Sequence, residues 1–265
     1  MAPSQSERDA DTIALARVPL TVGYPRAMSR VGRVGGRGSR SLESGSPPSL
    51  RGPRSEALTE ASYAAAVERL AAADAVLGGV VARWGAPPFW RHPVGFAGLV
   101  HGILAQQVSL ESAVAAFARL EAELGGVEPA AFLRLDDARL RAIGFSRPKA
   151  AYARGLADAI ATGDLDLAGL EAGSDDEVRD ALVRLRGVGR WTAGVYLVFS
   201  LRRADAWPSG DLALAKSVQE LHGLAALPSW DELDAWADRW RPRRAVAARF
   251  LWHDYLSRRG RVSKA

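Results

Sequence analysis

Leu185-Arg186-Gly187-Val188-Gly189-Arg190-Trp191-Thr192-Ala193, with Asp211 twenty residues past Trp191, is the stretch on which the reading of this chain turns. One helical run ends near Arg186 and another begins near Arg190, so Gly187-Val188-Gly189 must reverse the chain within three residues. A corner that tight needs positive φ and close backbone approach, which glycine permits. It also turns backbone N–H groups outward at a helix N-terminus, an arrangement that suits a phosphate oxygen. Taken alone, a Gly-x-Gly between two helices is equally a plain turn.

Working outward, the patterning on both sides is helical. Thr59 and Asp74 are placed to cap two successive helices, and Pro87-Pro88 then breaks the chain. A long apolar helix carries Phe96, Leu99, Val100, Ile103 and Leu104 up to Gln106-Gln107. Ser109 starts the next, with Val114, Phe117 and Leu120 on one face, and shorter helices are expected near 129–135 and 136–143. Arg147–Ala161 reads as a helix with Pro148 in its first turn. Ser174-x-x-Glu177 and Ser229-x-x-Glu232 are capping boxes. Gly194–Leu201 and Leu212–Leu221 read as apolar helices, and Pro242 suits the first turn of a final helix carrying Phe250, Trp252 and Tyr255. No segment alternates as a strand would, so residues 58–260 are expected to form one all-α domain of about ten helices. Residues 1–57, rich in Gly, Ser, Pro and Arg and without a sustained period, are expected to be a disordered extension.

Composition narrows the chemistry. A chain of 265 residues, 48% hydrophobic, is long enough to bury a full core. No apolar run is long enough to span a bilayer, so no membrane partner is expected. With no cysteine, disulfides, zinc–thiolate sites and iron–sulfur clusters are excluded. His92, His101, His222 and His253 lack metal-ligand spacing and read as structural or surface residues. The net charge is +5, but nine arginines against five acids in residues 1–57 account for most of it. The remaining body is nearly neutral and would bind a polyanion only through charge gathered on one face. Candidates are Arg186, Arg190, Arg147, Lys149, Lys216 and the Arg239-Arg241-Arg243-Arg244 cluster.

Three separated motifs occur in a telling order. They are Ile103-Leu104-Ala105-Gln106-Gln107-Val108-Ser109, the hairpin followed by Trp207-Pro208-Ser209-Gly210-Asp211-Leu212, and Trp240-Arg241-Pro242-Arg243-Arg244 leading to Phe250-Leu251-Trp252. Together they resemble the helix-hairpin-helix (HhH-GPD) DNA glycosylases, most of all the 3-methyladenine DNA glycosylase II branch, from about Ala61 to Leu256. The resemblance implies two helical subdomains flanking a DNA-binding cleft with the hairpin, 185–193, at its mouth. It implies an enzyme of base excision repair acting on double-stranded DNA that contains alkylated bases, cytoplasmic and associated with the bacterial nucleoid, and a monomer.

The resemblance also distributes roles. Gly187, Val188, Gly189, Arg190 and Thr192 would contact the DNA backbone, and the carbonyls of Val183, Leu185 and Gly187 would hold a monovalent cation such as Na+ or K+. Gln107 falls on the wedge that fills the gap left by an extruded nucleotide. Trp191 and Trp252 fall on the base-stacking positions. An N-alkylated purine is cationic and an indole face attracts cations, by about 0.5–2 kcal/mol. Asp211 falls on the catalytic carboxylate. Loss of the base leaves positive charge on the sugar, and a carboxylate held beside C1′ stabilises it and orients water. Local sequence alone favours reading Asp211 as an N-cap. Members that also cut the strand through a Schiff base carry a lysine where this chain has Trp191, and the nearest lysine, Lys216, is more than a turn beyond Asp211. A glycosylase that leaves an abasic site without nicking is expected. Two other readings stay open: the same fold acting on hypoxanthine, uracil or a mispaired base, and a hairpin module that binds DNA without chemistry.

Overall fold

The computed structural model describes residues 54–261, and the expected disordered extension, as far as residue 53, lies outside them. The described chain forms α1 (Glu60–Ala73), α2 (Ala75–Trp84), α3 (Gly95–Ala105), α4 (Leu110–Leu124), α5 (Pro129–Phe132), α6 (Asp137–Ile143) and α7 (Arg147–Ala161). These are followed by α8 (Leu167–Ala172), α9 (Asp175–Val183), α10 (Arg190–Val195), α11 (Leu212–His222), α12 (Trp230–Ala237) and α13 (Arg244–Ser257). Among the described residues the only β pairing is an isolated antiparallel bridge between Ala57 and Arg203, so the domain is all-α, as expected.

The helix starts follow from local chemistry. Thr59, Asp74, Ser109, Ser146 and the capping-box residues Ser174 and Ser229 each accept a backbone N–H of the first turn through the side chain. Helix α3 is apolar all round and buried from Phe96 to Leu104 apart from Ala97, as a helix enclosed on every side must be. Removing each of its large aliphatic side chains from water contributes roughly 1.5–3 kcal/mol.

The helices sort into two groups. Helices α1, α2, α11, α12 and α13 pack among themselves, whereas α3 to α10 form the other set, with α3 at its centre. The chain crosses between the groups at 85–94 and returns at 201–211, and the candidate site lies on that second crossing.

Several expectations need correcting. Ser55–Ala57 belong to the packed domain: Leu58 N–H donates to the Arg202 carbonyl and Ala204 N–H to the Glu56 carbonyl, both at 2.8 Å. The helix before the hairpin ends at Val183 rather than near Arg186. Pro242 is not in the first turn of α13; it follows a cis Arg241–Pro242 bond, and the helix starts at Arg244. Helix α8 was not expected. The helix read as Gly194–Leu201 is instead α10 continuing into a π-helical turn, Tyr196–Ser200, from which the Phe199 ring lies 4.9 Å from that of Trp252.

Candidate active site

The hairpin is set by what surrounds it. Gly187 has φ +87°, and a Cβ there would lie 2.1 Å from Cγ of Tyr152 on α7, so the ring closes directly on the backbone. Val188 is buried while Gly189, Arg186 and Arg190 are exposed, so the turn is pinned by one apolar side chain and leaves Gly189 and two cations at the surface. Gly194, one turn into α10, brings in the loop that carries the aspartate: a Cβ there would sit 2.6 Å from Cα of Pro208.

Asp211 caps α11. Its Oδ1 accepts the backbone N–H of Ala213 at 2.8 Å and of Leu214 at 3.0 Å. Its Oδ2 accepts the indole N–H of Trp191 at 2.8 Å and of Trp252 at 3.3 Å. The N-cap reading is therefore realised by one oxygen, while the other is held by the two indoles. Burial raises the carboxyl pKa, and the indole and backbone donors pull it partly back down. The positive end of α11 acts in the same sense as those donors.

The three residues expected to form the centre thus converge from three elements, α10, α11 and α13. Their arrangement differs from the expectation in one respect. The carboxylate is 2% exposed, covered rather than open to a cleft. Trp252 is buried too, its ring 4.9 Å from Phe199, while the partly exposed Trp191 forms the outer cover. Both indoles turn their N–H edges to the carboxylate, so their first role is to hold it.

Other candidates are placed as follows. Gln107 stands exposed at the α3–α4 joint with φ +55°, the left-handed region that a non-glycine residue seldom occupies. Thr192, expected at the DNA, is 2% exposed, and its hydroxyl accepts from Gln106, so only its backbone can face a phosphate. The Leu185 carbonyl accepts Val188 N–H at 3.1 Å and the Gly187 carbonyl accepts the Gln106 amide at 2.8 Å. Each keeps a second lone pair, and neutral oxygens of this kind suit a hard monovalent cation.

The basic candidates divide. Lys149 donates to the Leu104 carbonyl at 2.6 Å, and its half-burial lowers its pKa, so it fastens the end of α3 instead of forming a solvated patch. Part of the arginine cluster is paired: Arg241 and Arg244 share Asp205, at 2.8 and 3.0 Å, and Asp238, at 2.9 and 3.7 Å, while exposed Arg239 lies over the Trp236 ring. The exposed positive charge at the hairpin is that of Arg186 and Arg190.

Sequence reasoning missed Gln106 and Phe199. Gln106 stands in the motif that drew attention to Gln107, and its position beside Gln107 was the available signal. Phe199 gave none, because a helical pattern read at regular spacing does not show a π turn.

A family model for the HhH-GPD superfamily base excision DNA repair protein matches residues 100–242. The putative DNA-3-methyladenine glycosylase YfjP of Bacillus subtilis is 31% identical over 125 residues, which is 47% of this chain and 44% of that relative, less than half its length. Among solved structures, 3-methyladenine DNA glycosylase Mag1 of Schizosaccharomyces pombe, in complex with abasic DNA, superposes with a TM-score of 0.67 at 26% identity, covering 76% of this chain and all of that one. DNA-3-methyladenine glycosidase of Bacillus halodurans gives a TM-score of 0.60 at 30% identity, covering 74% of this chain and 91% of that one. With the hairpin and its aspartate inside the matched span and the whole helical arrangement shared, this chain belongs to the HhH-GPD superfamily of base excision DNA repair proteins.

Proposed function

We propose that this protein is a monofunctional DNA glycosylase that removes alkylated purines of the 3-methyladenine and 7-methylguanine type from duplex DNA. The observation that carries this reading is Asp211: a carboxylate 2% exposed at a helix N-terminus, held by two indole N–H groups. Nothing in a cap alone calls for that burial.

The chemistry follows from the parts. A base cannot be cut from its sugar inside the stack, so the nucleotide must be rotated out. The exposed backbone of the Gly187–Gly189 turn, flanked by Arg186 and Arg190, grips phosphate oxygens without reading sequence. The carbonyls of Val183, Leu185 and Gly187 would hold a monovalent cation there, adding positive charge for the phosphate. Gln107 fills the vacated space. As the base leaves with the C1′–N bonding pair, the sugar becomes cationic and Asp211 stabilises it. Water then adds to C1′ and passes its proton to a carboxylate whose raised basicity favours taking it. The carboxylate reaches the sugar once Trp191 moves off it, and the freed indole face is then available to the cationic purine. Trp191 has no amine, so no Schiff base forms at that position and the strand stays whole.

Incubating the full chain with methylated duplex DNA and identifying the released bases tests the reading. Free methylated purines and intact strands are expected. Release of hypoxanthine or uracil instead would reassign the substrate, and strand nicking without alkali would remove the monofunctional assignment.

A further inference from the structure

The wedge joint and the hairpin lie 81 residues apart in the chain and meet through one polar side chain. The amide of Gln106, the C-cap of α3, donates to the Gly187 carbonyl at 2.8 Å and to the Thr192 hydroxyl at 3.0 Å. One hydrogen of the NH2 group serves each acceptor, so the two partners together fix the amide plane. Beneath this tie the helices are in contact: a Cβ on Gly102, one turn earlier in α3, would lie 3.2 Å from Cγ2 of Thr192. Lys149 closes the other side of the same helix end by donating to the Leu104 carbonyl at 2.6 Å. The residue that follows this doubly anchored position is Gln107, exposed and held at φ +55°. A left-handed non-glycine conformation persists only where the surroundings over-determine it, and here they do so on one side through the hairpin.

We infer that Gln106 is a positioning residue that links the phosphate-gripping hairpin to the gap-filling Gln107, so that seating the hairpin on a phosphate also orients the wedge. The inference rests on the glycosylase reading for its purpose, since a binder that extrudes no nucleotide has no use for a wedge aligned with its grip. Gln106 does not itself touch DNA in this role. Its loss leaves the hairpin's own backbone contacts intact but lets the α3–α4 joint relax independently. The two loops then behave as separate units where before they formed one.

The test uses the full chain and a duplex with 2-aminopurine beside an abasic-site analogue, whose fluorescence rises when the stack opens and the wedge enters. Gln106→Met keeps length and removes both donors. We expect undamaged duplex to be bound within about two-fold of wild type and the opening equilibrium to fall roughly ten-fold, the size of one to two lost hydrogen bonds. Gln107→Ala should lose a similar amount, and the double variant should be no worse than the poorer single one. Multiplying losses in the double variant, or Gln106→Met opening the stack like wild type, would overturn the link. Should Gln106→Met fail to fold, Thr192→Val removes one acceptor and Thr192→Ser restores it. Loss in the valine variant with recovery in serine supports the link, and equal behaviour of the two overturns it. A wild-type chain that opens the stack but releases no methylated base refutes the glycosylase reading alone. One that gives no opening signal refutes both.

Discussion

Two of the buried aspartates among the described residues, Asp211 and Asp254, are held by nearly the same parts and differ in one kind of partner. Each accepts an indole N–H, Asp211 from Trp191 and Trp252 and Asp254 from Trp84 at 3.1 Å. Each is effectively removed from water, at 2% and 0% exposure. The difference lies in the remaining partners. Asp254 accepts the Ser217 hydroxyl at 3.1 Å and the Arg258 guanidinium at 2.8 Å, four residues along the same helix. Asp211 completes its set with two backbone N–H groups and takes no guanidinium or ammonium partner among the described residues. A buried charge given a cation is a structural tie, whereas one held only by neutral donors keeps its negative charge available to a cation that arrives later. In the proposed reaction that cation is the sugar.

The comparison can be broken outright. Asp211→Asn should lower base release by about 10²–10³-fold or more, the scale on which a preorganised charge stabilises a transition state. Duplex binding should change little, and an Asn variant with near-normal release in a single-turnover assay would end the catalytic assignment. Asp254→Asn should do the reverse. Removing one partner of a buried pair costs about 3–5 kcal/mol. Because Arg258 also reaches Glu220, at 3.6 Å, the lower end is expected in urea unfolding, with release per folded molecule unchanged.

A finer distinction is the response to pH. Burial raises the Asp211 pKa, so release should fall with acid at a midpoint above the ordinary carboxylate range. The stability effect has the opposite sense. A carboxyl whose folded pKa is raised binds more protons folded than unfolded between the two values, so its contribution diminishes as pH rises through that window. Chemical unfolding at several pH values should therefore show Asp211→Asn gaining on wild type as pH rises. A constant gap would mean that the neutral donors offset the burial completely.

The smallest effects come from the indoles. Trp252→Phe and Trp84→Phe each remove one indole N–H, at a cost on the order of 1–3 kcal/mol. Only the first removes a donor that lowers the Asp211 pKa, so only Trp252→Phe should move the acid limb of the pH–rate profile, and upward. A shift of equal size in Trp84→Phe would show that the limb reports global stability instead of the site.

The helix starts were readable because a cap is a contact between a side chain and a backbone three residues on. Thr59, Asp74, Ser109, Ser174 and Ser229 all appear where their spacing placed them. Asp211 was readable as a cap from its neighbours, and the structure shows it capping α11. The arginines near the C-terminal helix were misjudged. In the sequence Arg241, Arg243 and Arg244 are a run of charge, and nothing there shows that Asp205, nearly forty residues earlier, folds back between Arg241 and Arg244. The tryptophans were half legible. Trp191 and Trp252 stood out through the resemblance, but five of the eight, Trp84, Trp191, Trp207, Trp240 and Trp252, donate to an aspartate, and four of the five aspartate bonds to them span 27 residues or more.

By itself the sequence determined an all-helical domain, most of its helix starts, the glycine hairpin and the family, since each of these is written in residues a few positions apart or in motifs of fixed order. Only the tertiary structure decided which buried aspartate receives a cation and which receives only neutral donors. It also decided that the carboxylate lies covered by its two indoles, and that Gln106 joins two loops 81 residues apart. Those outcomes depend on burial and on the direction of single N–H bonds across the seam between helix groups, and neither quantity exists until the chain has folded.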